Sequence, residues 1–250
     1  MEYPKIQSLW KREMIDAAKP GQEERLVPGG KVLEGEYTCP EFEAIDSWIV
    51  TEKIDGMNMR VILTREDYGD WTVDYRGRTD RAQIHPELMK HMQETFPLDK
   101  MTDKFDCDTI LFGEGYGPGI QKGGYYRDDK GFILFDVFCG GWWLKHEDVW
   151  SVAEALDIPV VNWEIMTTDE AVWTVKLKNF DRLAPGATEY DYVPEGVVCR
   201  SNPLMCFRDG RPIMWKLKVR DFQCNESPKA SQKASSSDVT ENANASGSSS

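Results

Sequence analysis

In Ile213-Met214-Trp215-Lys216-Leu217-Lys218-Val219 every odd position is apolar, and the even positions carry two lysines. A period of two is a strand, with Lys216 and Lys218 on one face and the packing residues on the other. Met57–Leu63 repeats the arrangement, with odd positions apolar and Asn58 and Arg60 together on the opposite face. Two strands that each keep one polar face call for sheets that pack on one side and enclose a polar pocket on the other. Strands are predicted at Trp48–Lys53, Met57–Thr64, Trp71–Tyr75, Thr109–Gly113, Phe132–Phe138, Val160–Ile165, Val193–Arg200 and Ile213–Val219. Helices are predicted at Pro86–Phe96, His146–Leu156 and Asp169–Leu177. A short helical pattern, Leu9–Ala18, precedes a Pro/Gly-rich stretch, Pro20–Gly35. Strands that outnumber helices without regular βαβ alternation predict an α+β fold built on antiparallel sheets with flanking helices.

The aromatic content predicts a folded core through residue 224, with residues 1–46 as an N-terminal extension packed on it. From Asn225 to Ser250 there is no aromatic residue and one β-branched aliphatic, Val239, so 225–250 reads as a disordered Ser/Ala/Asn-rich tail. A native tail and an added linker read alike in this composition. Net charge is −13, which argues against non-specific duplex binding, because phosphate contacts supply most of that affinity. A local basic groove remains open: Arg76, Arg78 and Arg81 cluster, as do Lys216, Lys218 and Arg220. The six cysteines form no Cys-x-x-Cys pair and have no histidine at zinc spacing. Free thiols, with no signal peptide or apolar span, predict a reducing cytoplasm. His85, His91 and His146 are expected at the surface or at helix caps.

Lys53-Ile54-Asp55-Gly56 carries the chemistry. A lysine amine can attack the α-phosphate of a nucleotide once a neighbouring positive charge or desolvation favours its neutral form. Lys216 and Lys218 can supply that charge and offset the charge building on the phosphate. Magnesium needs an oxygen ligand, and Glu195, in Pro194-Glu195-Gly196-Val197-Val198, suits that role. Glu114, in Phe112-Gly113-Glu114-Gly115, can accept from a ribose hydroxyl, and Phe132 or Phe135 can stack on a base.

In this order the segments resemble the motifs of the covalent nucleotidyltransferase superfamily. Within it they resemble the RNA ligase 2-like ATP-dependent polynucleotide ligases, which include small phage enzymes. Lys53–Gly56 resembles motif I, Arg78-Thr79 the short arginine motif after it, Gly113-Glu114 motif III, and Phe132–Val137 motif IIIa. Glu195–Val198 resembles motif IV and Lys216-Leu217-Lys218 motif V, while Gly117–Lys122 is also similar to that group. The resemblance spans about residues 48–220. It implies a nucleotidyltransferase (adenylation) domain that uses ATP and Mg2+ or Mn2+. By the resemblance Lys53 is adenylylated, Glu52 and Phe132 contact adenine, and Glu114 contacts ribose. Asn58 and Arg78 serve the phosphate or the nucleic-acid steps, with Arg76 competing for the role of Arg78. Glu195 positions the metal, Lys216 and Lys218 hold the α-phosphate, and Asp55 shapes the loop.

The implied reaction joins a 5′-phosphate to a 3′-hydroxyl in RNA, as a break, a nicked duplex or an RNA/DNA hybrid. It implies RNA repair, in the host cytoplasm if the protein is phage-encoded. Only 219–250 follows Lys218, without the oligonucleotide-binding barrel of DNA ligases or the helical domain common in RNA ligase 2-like proteins. Autoadenylylation is therefore expected from these motifs alone, with a partner protein as one source of nucleic-acid binding. Competing readings are a minimal DNA ligase, a capping guanylyltransferase, and a non-catalytic nucleotide- or RNA-binding module of the same fold. The intact Lys53, Glu195, Lys216 and Lys218 argue against the last.

Overall fold

The alternating runs become two five-stranded sheets, and the computed structural model describes residues 1–19, 23, 25–67, 69–183 and 194–222. The expected tail at 225–250, Cys224 and the start of the predicted strand at Val193 lie outside the described residues. The first sheet has the order β1 (Gln7–Ser8), β12 (Met214–Lys218), β11 (Gly196–Ser201), β4 (Trp48–Glu52), β10 (Trp163–Met166). The second has the order β6 (Trp71–Gly77), β5 (Met57–Arg65), β7 (Thr109–Tyr116), β8 (Gly131–Cys139), β9 (Trp142–Trp143). Every strand pair in them is antiparallel except β1 with β12. A separate hairpin pairs β2 (Trp10–Asp16) with β3 (Leu26–Tyr37). Five α-helices lie among the described residues: α1 (Pro40–Ala44), α2 (Pro86–Thr95), α3 (Leu98–Lys104), α4 (His146–Leu156) and α5 (Thr168–Leu177). The α+β class expected from the strand pattern is the one observed.

Each sheet has one face closed by an apolar layer. On the first, alternate residues Trp48, Val50, Val197, Cys199, Trp215 and Leu217 pack with Phe42 of α1 and Val175 of α5. Trp48 and Trp215 meet edge to face at 5.4 Å, and each such buried side chain contributes about 1.5–3 kcal/mol. On the second, Met59, Val61, Leu111 and Leu134 pack under Leu88, Met92 and Val149 of α2 and α4. The opposite faces look toward one another. Tyr3, Phe112 and Met214 fill part of the gap between them, and the remainder is a cavity.

Two expectations are corrected here. Leu9–Ala18 does not form a helix: Trp10–Asp16 is strand β2, because pairing with β3 overrides a weak local helical pattern. The Pro/Gly-rich stretch likewise becomes most of β3, where Pro28 is tolerated because this two-stranded sheet has only edges. Arg60 does share a face with Asn58, but it lies outside the cavity that Asn58 lines. It is buried and donates to the Gly77 and Met1 carbonyls, both at 2.8 Å, and to Asp80 at 2.7 Å. Helix α5 begins with a capping box at Thr167 and Glu170 that fixes its start. Short helix α3 lacked a strong enough apolar period to be expected.

Candidate active site

Lys53 directly follows strand β4, and backbone bonds fix what stands beside it. The Lys53 N–H donates to the Gly196 carbonyl at 2.8 Å, and the Val219 N–H donates to the Glu195 carbonyl at 3.0 Å. Glu195 is thereby held between the ends of β4 and β12. Lys53 Nζ donates to Glu195 Oε2 at 2.5 Å, and Lys218 Nζ donates to Oε1 of the same carboxylate. Burial opposes ionisation of Glu195, but Lys53 and then Lys218 outweigh it and hold the carboxyl below its ordinary range. Gly196 explains the Glu-Gly pair: its φ is +155°, and a Cβ there would lie 2.0 Å from the Leu217 carbonyl oxygen. Only glycine lets β11 approach β12 this closely.

In front of this triad lies a cavity of about 230 Å³ between the two sheets. Lys53, Glu52, Asn58, Arg78, Glu114 and Lys216 all line it. Glu195 and Lys218 stand behind the Lys53 amine rather than in the cavity wall. Glu52 accepts from the Tyr126 hydroxyl at 2.9 Å. Glu114 faces the cavity from β7 and accepts from the Gly56 N–H. Burial outweighs the attraction of Lys53 and raises the Glu114 carboxyl to about 8, so it is protonated at neutral pH. A Cβ on Gly56 would lie 2.5 Å from the Gly115 carbonyl oxygen, so the Asp55-Gly56 turn fits against β7 only as glycine. Lys216 is lowered to about 8, first by burial and then by its cationic neighbours Lys218 and Lys53. Arg76, the alternative to Arg78, is exposed and pairs with Asp74 at 3.2 Å.

Phe132 is the one expected site residue that the structure turns away. It is 1% exposed and packs edge to face on Phe96 at 5.2 Å, inside the core under α2. Phe135 lines the cavity instead. Alternation sets the choice, since Phe132 and Leu134 face the core and Phe135 the other way; Phe112 pairs with Asp136 and Gly113 with Leu134, so a bulge at Phe135 then turns Asp136 to the same side. The bulge brings Phe135 and Asp136 together onto the cavity wall.

Several cavity residues gave no sequence signal. Tyr3 donates to Asp136 Oδ2 at 3.1 Å, and Arg200 donates to Asp136 Oδ1 at 2.6 Å, all three buried at the inner end. His146, expected at the surface or as a cap, is 4% exposed and also lines the cavity. Burial, reinforced by Arg200, lowers it to about 4, so it is neutral, and it donates to the Val161 carbonyl. Its Nε2 has no partner among the described residues. Tyr3, His146 and Arg200 lie far from Lys53 in sequence and carry no local motif.

Among the described residues no three of His, Cys, Asp and Glu converge as a complete metal cage. Glu195 offers a single hard oxygen donor at the Lys53 amine, the kind of donor that suits Mg2+ or Mn2+ completed by phosphates and water. No helix among the described residues is long and apolar enough to cross a membrane.

A family model for RNA ligases matches residues 46–217. Among solved structures, a Naegleria gruberi RNA ligase mutant with ATP and manganese superposes with a TM-score of 0.53 at 16% identity. That match covers 88% of this chain and 62% of that one. A second Naegleria gruberi RNA ligase mutant, with AMP and manganese, gives 0.52 at 15% identity with the same coverage. The chain thus spans about three-fifths of the length of those ligases. At such identities the superposition establishes the shared fold. No curated protein matches the chain. The matched segment holds Lys53, Glu114, Glu195 and Lys216 and covers more than half of the sequence, and on that ground the chain belongs to the RNA ligase family.

Proposed function

We propose that this protein is an ATP-dependent RNA ligase that works through a covalent lysyl-AMP on Lys53. One observation carries the reading: the Lys53 amine, the Glu195 carboxylate and the Lys218 amine form a continuous hydrogen-bonded row at the mouth of a cavity lined by Lys216 and Glu114. Positions 53, 114, 195, 216 and 218 have no reason to meet except through the fold. The ATP or AMP and manganese bound in the Naegleria gruberi ligases support the choice of nucleotide and cofactor.

In the first step the Lys53 nitrogen attacks the α-phosphorus of ATP, a P–N bond forms, and the bond to pyrophosphate breaks. The Lys53–Glu195 ion pair is a resting arrangement that holds the amine in position, and attack requires the amine to lose a proton. Magnesium or manganese, when bound at Glu195, supplies positive charge to the phosphates. Lys216 and Lys218 supply fixed charge at the same place. Glu114, as a neutral acid, can both donate to and accept from ribose hydroxyls, and Phe135 presents a ring to the base. AMP then passes to an RNA 5′-phosphate, and a 3′-hydroxyl displaces it. The substrate in this reading is a break or nick with RNA on the 3′-hydroxyl side, in the setting of RNA repair. A reducing cytoplasm is the compartment that this reading assigns to it.

The test is intact mass after incubation with ATP and Mg2+, beside GTP and NAD controls. A gain of one AMP, absent in Lys53→Ala, is the expected result. No adduct, once pre-bound AMP has been excluded and pyrophosphate removed, would overturn the reading. Joining assays on RNA and DNA nicks then separate an RNA ligase from a DNA ligase, and parallel assays with added cell extract reveal dependence on a partner protein.

A further inference from the structure

A second concavity, of about 740 Å³, begins where Lys216 leaves the first. Its walls are hairpin strand β2 on one side and β12 with the turn after it on the other. Lys5, Lys11, Arg12, Lys216, Lys218 and Arg220 line it, and Asp221 is the one carboxylate in its lining among the described residues. Asp221 is engaged by Arg12 at 2.6 Å and Lys218 by Glu195, while Lys11 lies 3.8 Å from Glu36. Lys5, Lys216 and Arg220 have no ion-pair partner among the described residues. In a protein of net charge −13 this concentration of unneutralised cations is a local reversal of sign.

The lining has a second property. Ser8, Trp10 and Thr38 line this groove, and the Ser8 hydroxyl, the Trp10 indole N–H and the Thr38 hydroxyl are buried just behind its surface with no hydrogen-bond partner among the described residues. Buried donors without acceptors are costly, and three in one groove, beside free cations, fit a ligand rich in anionic oxygens. The wall that carries them is firmly placed. Thr38 N–H donates to the Leu9 carbonyl at 3.0 Å, Leu9 N–H donates to the Lys216 carbonyl at 3.2 Å, and Lys176 bonds Glu34 of β3 at 2.5 Å.

We propose that this groove, walled by the N-terminal hairpin, is where the RNA strand lies, its phosphodiester backbone held by Lys11, Arg220 and the Ser8, Trp10 and Thr38 donors as it runs to Lys53. The proposal rests on the ligase reading and extends it to the site of the second substrate. Pyrophosphate leaving ATP presents the same phosphate chemistry at Lys216 and Lys218, yet it would fill only a small part of the groove. A local positive groove in an acidic protein also steers RNA to the one place where it can react.

The test uses the full chain and a 5′-phosphorylated, fluorescently labelled RNA oligonucleotide whose binding is followed by anisotropy across a salt series. The AMP adduct is measured in parallel by intact mass. Lys11→Glu with Arg220→Glu is expected to weaken RNA binding at least tenfold. It should also reduce the slope of log affinity against log salt by about 1.4, or about 0.7 for each single-strand phosphate that the protein no longer neutralises. AMP-adduct formation should stay within twofold of wild type. Ser8→Ala with Thr38→Val, which removes unpartnered hydroxyls, should leave the melting temperature equal or higher while RNA affinity falls about threefold. Unchanged RNA affinity in both variants overturns the proposal. A loss of AMP-adduct formation with RNA binding intact also overturns it and assigns the groove to the outgoing pyrophosphate. Groove-dependent RNA binding in a wild type that never forms the adduct would uphold the groove and sink the ligase reading.

Discussion

Glu114 shows how one buried group can link stability to pH. Its carboxyl is raised to about 8 in the folded protein, chiefly by burial, against about 4.3 for an unperturbed glutamate. Between those values the folded state holds a proton that the unfolded state releases. The Glu114 contribution to stability is therefore complete below about pH 4.3, declines as pH rises, and is lost once pH passes about 8. Glu114→Gln keeps a neutral side chain at every pH. Thermal melts should show the variant close to wild type at pH 5 and roughly 10 °C more stable at pH 9. A gap that does not change with pH would mean that Glu114 is ionised throughout. Lys216 also titrates near 8 but in the opposite sense, since its folded form prefers to be neutral; the comparison with Gln at position 114 isolates the carboxyl.

At the scale of the element, strand β8 decides which phenylalanine meets a ligand. Phe132→Ala removes a ring packed on Phe96 and should cost about 3–5 kcal/mol in urea melts, whereas Phe132→Leu should retain ATP affinity. Phe135→Ala should cost less stability and raise the KM for ATP in the adduct assay severalfold. The reverse pattern would return Phe132 to the site. Most of this architecture was legible because alternation is a local property. The odd positions of Ile213–Val219 and Met57–Leu63 identified two strands and the faces that pack. The motif residues Lys53, Glu114 and Lys216 line one cavity, and Lys53 meets Glu195 beside it. What was not legible depends on pairing at a distance. The bulge at Phe135 arises only in register with β7, and β2 is a strand only because β3 lies beside it. Tyr3, His146 and Arg200 reach the cavity from three separate segments with no spacing to announce them.

For the whole molecule, Arg200 of β11, Asp136 of β8 and Tyr3 of the N-terminal segment form a buried bridge between the two sheets. Burial raises the Asp136 carboxyl and opposes its charge, so the bridge depends on Arg200. Arg200→Met should destabilise the fold by roughly 3–5 kcal/mol, because an uncompensated carboxylate remains. Adding Asp136→Asn should recover part of that loss in the same denaturation experiment. A strictly additive pair would show that the two side chains act independently.

The parallel pairing of Gln7 and Ser8 with Trp215 and Lys216 joins residues about two hundred positions apart. On a ribosome that makes the protein from its N-terminus, β1 has no partner until almost the whole of the folded region has been synthesised. The same late strand, β12, carries Lys216 and Lys218, and Glu195 precedes it only slightly. In the proposed reading the site is therefore completed last: a truncated or stalled product presents Lys53 and Glu114 on partial sheets but neither Glu195 nor the two lysines of β12.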